Sequence, residues 1–378
     1  MVIIMTSVIM ALGGYLLTPD ATPNANHMQL ELETHPPGHT ALLLRIGLMR
    51  EKQEACGFWQ RWYAGCPLPY TQRVLAQWQW RGDSLYFRPY LGEAARPGDW
   101  ERHHALRILM PEVRNARQRK EEKGYRVPKA VSTSGIITPK ALRQRVESLN
   151  IVAHTYWLGT DRFGRDLLSR VILGSRISLS IGLVAVVVSL LVGIILGGTA
   201  GYLGGAADQL ILWVINVFWS LPSLLLVLAL NFALGEGLMQ LYLAVGLSMW
   251  VEVARLVRGQ VKALRQQTYI EAAQVLGFSG FRILRRHLLP NMTGPLLVVA
   301  ASNFATAILL EAGLSFLGMG VAPPRPTWGF MIKDHYGYLV AGDAYLALAP
   351  GLAIVSVVLA FYLLGNGLRD AFDTGAPS

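Results

Sequence analysis

Long uncharged runs dominate this chain. No Asp, Glu, Lys or Arg occurs in 1–19, 177–207, 209–235, 237–251, 287–310 or 344–368. A bilayer core about 30 Å thick takes roughly 20 apolar residues in helical form, whereas a helix of a soluble protein keeps a polar face. The runs predict an all-α integral membrane protein with six transmembrane helices, near 1–17, 177–203, 209–233, 238–256, 292–314 and 344–365. An apolar start can also be a cleaved signal. No basic stretch precedes this one and no Ala-x-Ala follows, so a retained helix is expected. Pro222 and Pro350 fall inside spans and are expected to kink them.

Residues 18–156 break the pattern. Met28–Glu33 alternates with period two and predicts a strand. Leu75–Trp80 and Leu85–Phe87 flank Arg81-Gly82-Asp83-Ser84, which predicts a hairpin in which Arg-Gly-Asp is turn chemistry rather than an adhesion motif. Pro139–Leu149 suits a short helix. Trp59, Trp62, Trp78, Trp80 and Trp100 argue for a folded segment, since disordered linkers carry few aromatics. Cys56 and Cys66 are candidate disulfide partners, although two free thiols fit the spacing equally well. His35, His39, His103 and His104 are expected to be solvated. Neighbours such as His103-His104 point to opposite faces of a strand and make a poor metal pair.

Charge adds orientation. The 34 Lys and Arg outnumber the 24 Asp and Glu, yet only 15% of residues are charged against about 25% in soluble proteins. Arg255, Arg258, Lys262, Arg265, Arg282, Arg285 and Arg286 stand against the single acid Glu271 in 255–290. The positive-inside rule places this loop in the cytoplasm. Counting spans from it puts both termini in the cytoplasm, and the 18–156 insert and the 315–343 loop outside. Arg162, Arg165, Arg170 and Arg176 on the outer side run against the rule, although long loops translocate largely regardless of charge. The run Arg114–Lys123 reads as a solvated helix or linker on the same side, so no nucleic-acid partner is expected.

The cytoplasmic loop carries candidate chemistry of another kind. Small Ala272 and Ala273 allow close approach of a partner, and Gly277 suits a left-handed helix end. Ser279 is placed to cap a second helix, Phe281–Leu289, with Arg282, Arg285 and Arg286 outward, and Pro290 is expected to end it. Two short helices of this kind fit a groove on another protein, or the lipid surface. Within the spans, Asn216, Ser220, Asn231, Asn303 and Glu311 are polar. Glu311 is expected to snorkel or to make a structural hydrogen bond, and Glu252 to pair locally with Arg255.

Glu271-Ala272-Ala273, three residues, Gly277, nine residues, then His287 ahead of Leu289-Pro290 resembles the EAA loop of binding-protein-dependent ABC importers. That family favours Ile where this chain has His287. Four further blocks resemble the second, C-type permease subunit of dipeptide, oligopeptide and nickel importers. The first is Leu158-Gly159-Thr160-Asp161-Arg162-Phe163-Gly164-Arg165-Asp166 with Ser169-Arg170, and the second is Gly174–Leu179. The third is Ser315–Gly320 with Pro323-Pro324 and Trp328-Gly329, and the fourth is Gly365–Asp370. The resemblance covers 157–373; the long insert departs from it. It implies a type I importer fold in which Glu271, Ala272, Ala273, Gly277, Leu289 and Pro290 couple to ATPases. It also implies four kinds of partner: a second permease, two cytoplasmic ATP-binding subunits, an external solute-binding protein and membrane lipid. It implies an inner-membrane location and no catalysis or cofactor in this chain. Consistently, no Gly-x-x-x-x-Gly-Lys-Ser/Thr phosphate loop occurs. A secondary transporter would show an internal repeat and midplane charges, and a membrane sensor would need more than the dozen or so residues that follow Leu364.

Overall fold

The computed structural model describes residues 1–47, 56–92, 96–110, 120–121, 124–128, 135–235 and 237–372. They form two compact units, Tyr15–Arg170 and Met1–Gly14 with Val171–Ser378. Helix α1 (Val2–Leu17) opens the chain. Its 16 residues rise about 24 Å, short of the hydrocarbon thickness by itself.

The Tyr15–Arg170 unit is built on antiparallel strands. Strand β1 (His39–Gly47) is followed by α2 (Phe58–Ala64), β2 (Tyr70–Arg81), β3 (Ser84–Pro89), β4 (Glu101–His104) and α3 (Ala105–Leu109). Then come β5 (Lys120–Glu121), β6 (Gly124–Arg126), β7 (Ile136–Ile137), α4 (Pro139–Asn150) and β8 (Ile151–Tyr156). The main sheet runs β4-β3-β2-β1-β8, and a small one β5-β6-β7. The hairpin closes at Arg81↔Ser84 over Gly82-Asp83, with Gly82 at φ +57°, where only glycine is unstrained. Strand alternation sends Leu44, Leu75, Leu85 and Phe87 to a core with Leu106, Leu142 and Val146 of α3 and α4. Leu43 and Val74 join Leu32 and Tyr156 in a second core. Cys56 and Cys66 form a disulfide with Cα atoms 6.2 Å apart.

Two expectations fail here. Met28–Glu33 is not a strand but holds a 3₁₀ turn at Leu30–Leu32. The backbone donors of Gln29 and Thr34 are taken by the carbonyls of Phe163 and Asp161, both at 3.1 Å. A contact with chain some 130 residues away thus overrides the local period. Nor are all the histidines solvated. His35 is buried between the Glu33 carbonyl and the Tyr90 hydroxyl, and His104 Nδ1 accepts from Leu106 N at the start of α3. The charge run Arg114–Lys123 lies outside the described residues, apart from Lys120-Glu121 in β5.

The second unit is helical: α5 (Leu167–Leu203, which begins at the other unit's edge), α6 (Gly205–Trp219), α7 (Ser223–Leu234), α8 (Leu238–Ser248), α9 (Trp250–Arg265), α10 (Thr268–Val275), α11 (Gly280–Ile283), α12 (Leu289–Asn291), α13 (Thr293–Phe316), α14 (Trp328–His335), α15 (Tyr338–Ala341) and α16 (Tyr345–Phe372). Among the described residues, four stretches are long and apolar enough to cross a bilayer: Leu167–Leu203, Leu238–Arg265, Thr293–Phe316 and Tyr345–Phe372. The single helix expected at 209–233 is instead the α6–α7 pair, bent by 99°; counted as one span it makes a fifth. Pro222, which lacks a donor and disfavours helix before it, stands at the break. Pro350 lies in the second turn of α16 without ending it.

Gly193, Gly197 and Gly201 recur every four residues on α5 and let its backbone approach α9. An added Cβ would lie 2.5 Å from Val253 Cβ, 2.3 Å from the Ala254 carbonyl and 2.8 Å from Val261 Cβ, respectively. At the same end of this pair, Asp208 accepts from Arg258 (2.5 and 2.8 Å) and Lys262 (2.5 Å), while Arg265 donates to the Tyr202 carbonyl. Arg255 does not pair with Glu252. Its guanidinium lies over the Trp219 ring and donates to Asn216 (2.9 Å), because the longer reach across to α6 gives it both a ring face and an acceptor.

Gly197→Val should therefore force α5 and α9 apart, costing at least the about 1–3 kcal/mol typical of overpacking. Gly259→Ala, which meets open space, should be neutral or slightly stabilising. Thermal unfolding of the detergent-solubilised chain checks both; equal melting temperatures would refute the close-packing account. In the sheet unit, burial lowers the pKa of His103, His104 and His154 below the ordinary value. As pH falls through the ordinary histidine range, near 6.5, the unfolded chain takes up protons that the folded chain does not, so folding loses stability. Tryptophan-monitored urea unfolding should show a lower midpoint at pH 5.5 than at pH 7.5, and His154→Asn should shrink the difference.

Candidate functional site

The loop from Thr268 to Pro290 is built inward and outward at once. On α10, Ile270 and Ala273 are buried with Val253, Val257 and Val261 of α9, while Glu271 and Ala272 face out. Ala273 is therefore not part of an outward small-residue face; its i→i+3 spacing from Ile270 puts it on the anchoring side. Helix α10 ends in a Schellman arrangement: Phe278 N donates to the Ala273 carbonyl (3.1 Å) and Gly277 N to that of Gln274 (2.9 Å). Gly277 stands at φ +78° with open space around it, so its requirement is conformational. The exposed residues at this turn are large and apolar: Val275 at 88%, Leu276 at 73% and Phe281 at 73%. Sequence reading passed over these three. Their signal was a pair of aliphatics directly before a stop glycine, where a self-contained helix would carry polar residues.

After the turn, Ser279 has cap backbone angles but its side chain makes no cap hydrogen bond. Gly280 seats on the Tyr202 ring of α5. The expected helix Phe281–Leu289 is instead α11, a π turn at Leu284–Leu288 and α12. Leu289 N bonds the Leu284 carbonyl, five residues back. Pro290 does not end the helix but sits in the first turn of α12, where its missing donor is harmless. The widened turn before it is one way to keep its ring off the preceding carbonyls. His287 stacks on Phe278 with ring centroids 6.0 Å apart, bracing the second short helix against the end of the first. Arg282, Arg285 and Arg286 are exposed. The result is an apolar ridge rimmed by three guanidiniums on a firmly seated base. It suits docking rather than bond chemistry.

The Gly159–Asp166 block is a buried knot within the sheet unit. Asp161, fully buried, accepts from Arg165 Nε (2.6 Å) and from the backbone of Phe163 (2.9 Å) and Arg165 (3.0 Å). Arg170 Nε lies 3.6 Å from the same carboxylate. Thr160 Oγ1 accepts from His35 N (2.8 Å) and donates to the Leu32 carbonyl (2.5 Å), and Arg165 also reaches Asn26 (3.0 Å). Gly159 and Gly164 have φ +79° and +67°, and any Cβ at Gly164 would collide with the Gln29 carbonyl. Asp166 accepts from the backbone and hydroxyl of Ser169, capping α5, and burial raises its pKa above the usual carboxylate value. Arg165 and Arg170 thus share one buried carboxylate and are themselves buried rather than presented at the surface.

Two other blocks, Gly174–Leu179 and Ser315–Gly320 with Trp328-Gly329, converge within the helical unit. Trp328 Nε1 donates to the Val171 carbonyl (2.8 Å), with Gly174 against its ring and Gly329 against α13. Beside them Glu311 is fully buried and does not snorkel, because Ser315 (2.7 Å) and Ser178 (3.4 Å) donate hydroxyls to it. Asn231 and Asn303 are likewise internal ties, to the Met319 carbonyl and to Ser189. A cleft of about 770 Å³ opens between the α7–α8 turn and the 318–325 loop, lined by Asn231, Phe232, Arg325, Phe330 and Lys333.

Residues 189–376 match the model of the binding-protein-dependent transport system inner membrane component family. The chain is 41% identical over 218 residues to the glutathione transport system permease protein GsiD of Pectobacterium atrosepticum, covering 58% of this chain and 72% of that protein. It is 39% identical over 218 residues to the dipeptide transport system permease protein DppC of Bacillus subtilis, covering 58% and 68%. Both relatives are permease proteins rather than enzymes. Among solved structures it is similar to the inward-facing MetNI methionine ABC transporter, with 20% identity, 54% and 95% coverage and a TM-score of 0.42.

Removing the Asp161 carboxylate would take from buried Arg165 and Arg170 the anion that they share. Asp161→Ala should destabilise the sheet unit by about 3–5 kcal/mol. Limited proteolysis of the membrane-inserted chain measures this, and wild-type resistance in the variant would show that the knot is not needed for folding.

Proposed function

Since this chain belongs to the family of binding-protein-dependent transport system inner membrane components, we propose that it is a permease subunit of an ABC importer, forming half of the translocation path for peptides or a similar small solute. Separate cytoplasmic ATP-binding subunits drive it, a second permease completes the path, and an external solute-binding protein delivers the cargo. The peptide class rests on the names of the glutathione and dipeptide relatives.

In this reading the bilayer holds six helices, with α1 and the α6–α7 pair added to the four long ones, and both termini lie in the cytoplasm. The sheet unit is then an extracytoplasmic insert between α1 and the rest. The Arg258–Asp208–Lys262 cluster and the Thr268–Pro290 loop share the cytoplasmic end, and the Asn231–Lys333 cleft the outer one.

The observation that carries the mechanism is the exposed ridge Ala272, Val275, Leu276 and Phe281 on a base packed into α9 and α5. Burying such a ridge in a groove of the ATP-binding subunit is favourable at roughly 25 cal/mol per Å² of apolar surface. When the ATP-binding subunits close, the ridge moves with them. The close packing beneath passes the displacement on as a rigid-body rotation of helices rather than a local dent.

Leu276→Asp should leave membrane insertion and the melting temperature intact while abolishing association with the ATP-binding subunits and transport. Gly277→Val should cost on the order of 1 kcal/mol at the left-handed position and weaken association through misdirection of the ridge. Co-purification of the ATP-binding subunits and uptake of labelled peptide test both. Normal uptake by Leu276→Asp would overturn this coupling route.

A further inference from the structure

Helix α2 has no assigned part in transport and no buried residue. At about 100° per residue, Phe58, Trp59, Trp62 and Tyr63 fall within an arc of about 140°, with Gln60, Arg61 and Ala64 opposite. Phe58, Trp59 and Tyr63 are 62%, 74% and 73% exposed. The ring of Trp59 stands edge-on to those of Phe58 and Trp62. So large an aromatic face left open to water is costly unless something covers it.

Its attachment says what that is. The Cys56–Cys66 disulfide closes the segment around α2, and Cys66 N donates to the Ala21 carbonyl (2.9 Å). Gly65, at φ +74°, lies so close to the Tyr15 ring and the Ala21 carbonyl that a Cβ would stand 2.6 and 2.7 Å from them. Tyr15 belongs to the last turn of α1, and Ala21 follows it by a few residues. Helix α2 is therefore tied to the point where the apolar helix α1 gives way to polar chain. If α1 is membrane-embedded, that point is the outer membrane–water boundary. Trp, Tyr and Phe are the residues whose amphipathic or apolar rings settle at that depth.

We propose that α2 is an interfacial anchor, whose aromatic face inserts among the lipid headgroups of the outer leaflet and holds the insert at the membrane surface. The inference rests on the membrane placement of α1 in the reading above. The disulfide closes the segment that carries the anchor, the Cys66–Ala21 hydrogen bond ties that segment to the chain just after α1, and Arg61 on the opposite arc is placed for phosphate or water.

The test uses the full chain in phosphatidylcholine nanodiscs. The emission lost on Trp59→Phe isolates Trp59, and quenching by spin labels near the lipid glycerol is compared with quenching by aqueous iodide. Trp59 should be quenched by the lipid label, protected from iodide and blue-shifted relative to free tryptophan. Quenching by iodide alone, or protection from both agents as in a protein contact, overturns the anchor. A Leu12→Trp variant separates this failure from that of the underlying reading. If Trp at position 12 is quenched by labels deep in the acyl chains while Trp59 is not quenched by lipid, the anchor alone is wrong. If neither is quenched by lipid, the placement of α1 falls, and the anchor with it.

Discussion

The helical unit depends on the approach of α5 to α9. Three glycines at four-residue spacing bring backbone against backbone, and the consequences run outward from that contact. Val253, Val257 and Val261 are held in place on α9, and it is onto them that Ile270, Ala273, Ile283 and Leu288 pack. The short helices are gripped from the other side as well, by Gly280 on Tyr202 and Leu284 beside Gly198. The exposed apolar ridge is therefore seated on two long helices, α9 and α5.

Much of this was legible in the sequence, because the solvent imposes a coarse code. Uncharged windows report helices that need no polar face, and Gly82-Asp83 reports a hairpin because its backbone conformation admits few residues. Failures occurred where distant chain supplied what the local pattern lacked. Met28–Glu33 alternates like a strand, yet the donors of Gln29 within it and of Thr34 just after it are used by Phe163 and Asp161. Ala273 looks like surface in a small-residue motif but is anchored by its spacing from Ile270. Pro290 looks like a stop, but after a widened turn it begins a helix instead. In each case the residue type was read correctly and its partner was not visible.

The sheet unit shows the same division. Nothing local in Gly159–Asp166 reveals that Asp161 gathers Arg165 and Arg170, or that Gly164 is required because the Gln29 carbonyl occupies the space of a side chain. Charge counts treat these arginines as surface cations, whereas the folded chain presents them as part of a closed electrostatic set. Likewise Glu311, a fully buried carboxylate on α13, is held among hydroxyls, which explains how so apolar a helix carries an acid there.

The π turn at Leu284–Leu288 has a geometric consequence of its own. Each residue inserted into a helix adds about 100° of angular phase to everything that follows. The wide turn thus sets the azimuth between Phe281 on the ridge and the residues of α12, Leu289–Asn291, independently of any side-chain contact there. Chain length between Gly280 and Asn291 consequently encodes a direction, and a one-residue insertion or deletion would re-aim α12 relative to the ridge while leaving every named contact residue in the sequence.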